Sequence, residues 1–112
     1  MRKLFLVFTL LFAIHSFSQE KSFEITGILK AEDTTSPLES ATVFVERIKD
    51  STIVSYTISD KDGKFKIESS TYDKALNFYV SYVGYGTYFK KLIIDKNKID
   101  LKTISLKLEN QL

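Results

Sequence analysis

Three observations predict an all-β fold, a seven-stranded antiparallel β-sandwich of two sheets. Beyond residue 22 the apolar side chains recur at every second position, and no window carries the 3.6-residue period of an amphipathic helix. The strand-like runs are short, roughly ten residues apart, and bounded by clusters of Asp, Ser, Thr, Gly and Pro. No helical stretch is available to cross over between parallel neighbours, so antiparallel pairing is the economical connection.

The elements follow in order. Phe23, Ile25 and Leu29 alternate with Glu24, Thr26 and Ile28, and Gly27 falls on the Phe23 face. Ala41, Val43 and Val45 alternate with Thr42, Phe44 and Glu46, and Val54, Tyr56 and Ile58 with Ser55, Thr57 and Ser59. Four shorter runs follow, Phe65 to Ile67, Leu76 to Tyr82, Tyr88 to Ile94 and Ile104 to Leu108. Breakers lie between them at Asp33 to Pro37, Lys49 to Thr52, Asp60 to Lys64, Ser69 to Lys74, Gly84 to Gly86 and Asp95 to Asp100. Alternation with one polar side makes each sheet wet outside and dry inside. The predicted core is Phe23, Ile25, Val43, Val45, Tyr56, Ile58, Phe65, Ile67, Phe78, Val80, Leu92, Ile94, Ile104, Leu106 and Leu108.

Ahead of the first strand, Arg2 and Lys3 precede an apolar run from Leu4 to Ile14, then the small or polar stretch His15 to Gln19. That is the three-part layout of a secretory signal peptide. Eleven helical residues span about 17 Å against a bilayer core of about 30 Å, so the run is short for an anchor. Ser16 and Ser18 occupy the small-residue positions before a cleavage point after Ser18. The predicted organisation is a signal peptide over 1–18, a short tail over 19–22, one sandwich domain over 23–108, and a tail or linker start over 109–112.

Without its first 18 residues the 112-residue chain keeps 94, with 14 Lys+Arg and 14 Asp+Glu, so the exported domain is formally neutral. Mixed charge of zero sum has no electrostatic footprint for nucleic acid or for an anionic membrane. The same cut removes His15, the only histidine, and the chain has no Cys. Imidazole-activated nucleophiles, His/Cys zinc sites and haem or iron–sulfur ligation therefore lose their parts. No catalytic residue, metal ligand or cofactor is expected, and a domain this small has little room for a substrate cleft.

Two motifs invite a functional interpretation beside a structural one. Asp60-Lys61-Asp62-Gly63-Lys64 resembles the opening of a calcium loop, but the twelfth position is Thr71 where a bidentate Glu is needed, and no helices flank it. A hairpin turn with Gly63 at positive φ is the better account. Ser81 to Gly86 ends a strand in a glycine-punctuated, tyrosine-rich turn at Gly84, and the tyrosines are expected to cover the end of the core. Tyr79, Tyr85 and Tyr88 are alternative candidates for an exposed platform contacting a glycan or a peptide.

Taken together, Ile25-Thr26-Gly27, Pro37-Leu38 followed by Ala41-Thr42-Val43, Ser59-Asp60 with Gly63 and Phe65, and Val80 to Tyr85 resemble the carboxypeptidase regulatory-like domain. The version they resemble follows the signal peptide of TonB-dependent receptors and related outer-membrane β-barrel proteins of the Gram-negative envelope. The resemblance implies a transthyretin-like sandwich and a non-enzymatic accessory module. It assigns Gly27, Pro37, Gly63 and Gly84 to fold positions, none catalytic. Where the family carries Thr-Gly before its Pro-Leu pair this chain has Thr34-Thr35-Ser36, and Ser59 replaces the common Thr before the hairpin Asp. Glu109 to Leu112 looks like the start of the linker to a plug and barrel. The expected role is a periplasmic N-terminal extension of such a receptor, docking other envelope proteins or aiding assembly. The alternative is a stand-alone periplasmic or secreted module for glycan or peptide.

Intact mass of the protein recovered from the cell envelope checks the leader. The expected species begins at Gln19, and retention of residues 1–18 would contradict export by this signal.

Overall fold

The computed structural model describes residues 20–109, so the expected leader, its cleavage point and residues 110–112 of the expected linker lie outside the described residues. Seven strands follow one another: β1 (Lys21–Ala31), β2 (Thr42–Arg47), β3 (Ile53–Ile58), β4 (Lys64–Thr71), β5 (Ala75–Ser81), β6 (Tyr88–Ile93) and β7 (Lys98–Leu106). They form a three-stranded sheet in the order β4-β1-β7 and a four-stranded sheet in the order β3-β2-β5-β6. The all-β sandwich of the sequence analysis is the observed architecture.

Pairing is antiparallel except between β1 and β7, which run parallel. The lack of a crossover helix forces antiparallel pairing only between consecutive strands of one sheet. β6 and β7 belong to different sheets, so the short link between them crosses the end of the sandwich without a helix. β1 begins before Phe23 because Lys21 and Ser22 pair with Thr71 and Ser70. β7 begins well before Ile104. Its alternation is interrupted where Lys102 takes φ 58° and donates its N–H to Asp100 Oδ1 at 2.9 Å, which hides the period of two in the sequence.

The inner faces bury Phe23, Ile25, Leu29, Val43, Val45, Phe65, Ile67, Leu76, Phe78, Val80, Leu92, Ile94, Ile104 and Leu106, together with Ala31, Leu38 and Ala41. Gly27 also faces inward. A Cβ there would lie 2.7 Å from Phe65 Cε1, so the missing side chain makes room for that ring. Three residues expected in the core are exposed instead, Tyr56, Ile58 and Leu108. Leu108 lies past the end of β7, in an isolated bridge with Tyr85.

Tyr56 and Ile58 are turned outward because β3 pairs with β2 in the opposite phase. Val43 stands beside Thr57 and Val45 beside Ser55, and paired residues project from the same side. β3 is an edge strand, so its inner face needs only small side chains at the rim of the core. Ser59 fixes this phase. It is buried, its hydroxyl donates to the Leu38 carbonyl at 2.6 Å, and it accepts from the Ala41 N–H at 2.9 Å. Val54, the extra residue of a bulge opposite Val45 and Glu46, packs against the core from the same strand.

The β3–β4 turn carries the chain from one sheet to the other. Asp60 Oδ1 accepts from the N–H groups of Asp62 and Lys64, both at 2.9 Å, and Asp62 is itself exposed. Gly63 takes φ 76°, and its carbonyl accepts from the Leu29 N–H at 2.7 Å. A Cβ on Gly63 would collide with the Leu29 carbonyl oxygen. Upstream, Pro37 bridges to Lys30, Leu38 donates its N–H to Leu29 at 3.0 Å, and Thr35 takes φ 57°. A β-branched residue therefore occupies the left-handed region at Thr35.

Urea titration of two variants checks these corners. Gly63→Val is expected to destabilise by about 3 kcal/mol, because it adds a collision with backbone to a positive φ. Thr35→Gly is expected to stabilise by about 0.5 to 1 kcal/mol, relief of the left-handed strain exceeding the extra entropy of the unfolded glycine. A stabilising Gly63→Val or a destabilising Thr35→Gly would refute the assigned backbone.

Candidate functional site: the outer face of the four-stranded sheet

The two outer faces differ in chemistry. On the three-stranded sheet, β1 and β4 present Glu24, Thr26, Lys64, Lys66 and Glu68 to solvent, and Lys66 Nζ lies 3.6 Å from Glu24 and 3.7 Å from Glu68. On the four-stranded sheet, the registers Phe44 with Tyr56, Phe44 with Tyr79 and Tyr79 with Phe89 align one aromatic residue from every strand. The row reads Tyr56, Phe44, Tyr79, Phe89 across β3, β2, β5 and β6. Exposed Ile58, Ile53 and Ile93 flank it.

Ring geometry decides what such a row can bind. Phe44 and Tyr79 stack at 5.0 Å between centroids with 16° between planes, and Tyr79 meets Phe89 at 5.1 Å and 49°. Side chains stand up from a sheet, so the two central rings cover each other's faces and turn their edges to solvent. Free faces remain at the ends of the row, on Tyr56, 69% exposed, and Phe89, 53% exposed. Partial burial raises the Tyr79 phenol above its ordinary pKa, and the adjacent Glu46 carboxylate adds to the effect.

The three tyrosines proposed from sequence as one platform are not brought together. Tyr79 belongs to the outer row. Tyr88 faces inward, edge-on to Phe78 at 6.1 Å. Tyr85 sits at the end of the sandwich, tilted against Tyr82 at 5.6 Å, with its hydroxyl donating to Asp33 Oδ1 at 3.2 Å. Its phenol is likewise raised, by burial first and Asp33 second. Gly84, at φ 89°, accepts from the Glu109 N–H at 3.0 Å, and Gly86 donates to Lys107 at 2.8 Å, so this tyrosine turn is tied to the chain beyond β7. Sequence reasoning missed Phe44, Phe89 and Tyr56 as site residues. Phe44 and Tyr79 each lie on the polar phase of their strand, but only the register between strands joins them into a row.

At the opposite end, Arg47 holds Asp73 through two contacts, Nε to Oδ2 at 3.0 Å and a second guanidinium nitrogen to Oδ1 at 3.4 Å. The bond to Asp73 raises the Arg47 pKa, and the N–H and hydroxyl of Thr52 lower that of Asp50. The pair ties the end of β2 to the β4–β5 loop. Among the described residues no three acidic side chains gather as a metal site. No helix among them is long and apolar enough to cross a membrane, which says nothing of β-barrel strands.

Fold and surface together define a β-sandwich module with a row of aromatic side chains on one outer face. The chain belongs to the CarboxypepD_reg-like domain family, whose model matches residues 25–112. That family is a non-catalytic regulatory fold. Similar folds occur in the Bacillus anthracis TIE protein, at 14% identity and TM-score 0.62, over 78% of this chain and 17% of that one. Catechol 1,2-dioxygenase of Acinetobacter radioresistens is similar at 11% identity and TM-score 0.62, over 83% and 54%. The shaft pilin SpaA of Lactobacillus rhamnosus GG is similar at 19% identity and TM-score 0.53, over 84% and 50%. At these identities the likeness concerns the fold alone. The chain spans 17%, 54% and 50% of the length of these three neighbours. No curated protein matches it significantly.

The raised phenols predict an alkaline limit. Tyr79 and Tyr85 keep their protons in the folded state above the ordinary value of 10.0, so the native state binds more protons than the unfolded one there. Stability is full below that value and falls as pH rises through the folded pKa values. Urea midpoints measured from neutral into alkaline pH should drop, and the drop should be smaller in a Tyr79→Phe, Tyr85→Phe double variant. An identical decline in the variant would remove these tyrosines as its cause.

Proposed function

We propose that this chain is a non-catalytic accessory domain of the Gram-negative envelope, exported by its leader and docking another envelope protein. Its context is the periplasmic side of a TonB-dependent receptor or related outer-membrane barrel. The aromatic row on the outer face of β3-β2-β5-β6 is the observation that carries the docking role. A face bearing four aromatics and flanking isoleucines is costly to leave in water and suits an uncharged protein surface. Sugars stack on free ring faces, whereas the central rings here offer edges, so a protein partner suits the row better than a glycan.

Two substitutions in the full-length protein test this role. Phe89→Lys, at the exposed end of the row, is expected to reduce copurification with the envelope partner about tenfold, the consequence of losing roughly 1.4 kcal/mol. Thr103→Lys, on the other sheet, is expected to leave it unchanged. Deletion of residues 23–108 should impair barrel assembly, partner capture or substrate uptake. If the deletion alters none of these, the docking role fails while the family assignment stands.

A further inference from the structure

The edges of the two sheets are guarded unequally. Among the four edge strands, β4 carries Lys64, Lys66 and Glu68, β6 carries Lys90 and Lys91, and β7 carries Lys98, Asp100 and Lys102. Charge, especially lysine, is the usual protection of an open edge against another strand. β3, Ile53-Val54-Ser55-Tyr56-Thr57-Ile58, has no charge, no proline and no glycine.

The backbone of β3 is in phase to accept a neighbour. Ser59 donates its N–H to the Ala41 carbonyl at 3.0 Å, so odd-numbered residues of the regular segment direct their main-chain groups toward β2. The N–H and C=O groups of Tyr56 and Ile58 therefore point away from the sheet. The bulge at Val54 limits the regular segment to Ser55–Ile58.

We infer that β3 pairs antiparallel with β3 of a second copy of this chain, about a two-fold axis through Thr57. In that register Tyr56 faces Ile58 of the other copy, and Ile58 faces its Tyr56. Each such pair exchanges two main-chain hydrogen bonds, about four in all. Outward apolar side chains meet outward apolar side chains, while Ser55, Thr57 and Ser59 meet one another on the inner side. A two-fold axis sets a strand against itself, and on β3 that brings no like charges together. Of the four edge strands only β3 carries no charge at all. The pairing covers Tyr56 and Ile58, 69% and 57% exposed in the single chain, and joins two aromatic rows across one eight-stranded sheet. Phe89, at the far end of each row, stays free, so this association goes beyond the docking role and does not depend on it.

Sedimentation equilibrium of the purified protein over a concentration series tests the inference. The mass is expected to rise from one chain toward two and stop there, because a two-fold contact closes. Ile58→Lys and Tyr56→Lys, both at exposed positions, should stay monomeric at every concentration and retain the wild-type melting temperature within a few degrees. Phe89→Lys should still dimerise. A single-chain mass up to the solubility limit, growth beyond two chains, or a dimer lost in Phe89→Lys but kept in Ile58→Lys would each overturn the inference.

Discussion

The carbonyl of Gly63 accepts the N–H of Leu29 at the corner where the chain leaves the four-stranded sheet and enters the other. The contact is main chain on main chain, and a side chain on Gly63 would occupy the space of the Leu29 carbonyl oxygen. It sets how closely the end of β3 approaches β1, and hence how the two inner faces meet. Beside it, Leu38 donates to the same Leu29 carbonyl, and buried Ser59 ties Leu38 and Ala41 to the end of β3. One small cluster of polar bonds thus fixes the relation between two apolar layers whose own attraction is not directional.

The outer surface follows from that cluster. With Ser59 turned in, Thr57 and Ser55 must also face the core side, and Tyr56 and Ile58 must face out. The phase is affordable only because β3 is at an edge, where the core has thinned to its rim and hydroxyl side chains still reach water. The same phase sets Tyr56 at the end of the row begun by Phe44, Tyr79 and Phe89. The row thus owes its fourth member to the way β3 turns.

The family match and the surface bear on different questions. Membership of the CarboxypepD_reg-like family accounts for the sandwich itself. It does not account for a row of aromatics on one outer face, since the fold would be satisfied by the polar alternation seen on the other sheet. Stacked cross-strand aromatics contribute some local stability, roughly 0.2 to 1 kcal/mol per pair. Exposed Phe89 and the flanking isoleucines contribute little to the fold, and they are the side chains that the proposed partner would cover.

Period-two alternation, turn residues at regular spacing and the lack of any helical period determined the all-β class, the seven strands and most of the buried residues. Each of these is a local property, set by the pleat and by backbone sterics. The lack of Cys, and of His beyond residue 15, likewise restricted the chemistry. Tertiary structure alone decided the parallel β1–β7 pair, the inverted phase of β3 and the separation of Tyr79, Tyr85 and Tyr88. In β3 both faces of the strand carry plausible core residues, Val54, Tyr56 and Ile58 against Ser55, Thr57 and Ser59, and hydrophobicity favours the first set. The ladder with β2 and the two hydrogen bonds of Ser59 select the second, and the bulge alone returns Val54 to the core. Register is a relation between strands distant in sequence, and it is there that the aromatic row came into being.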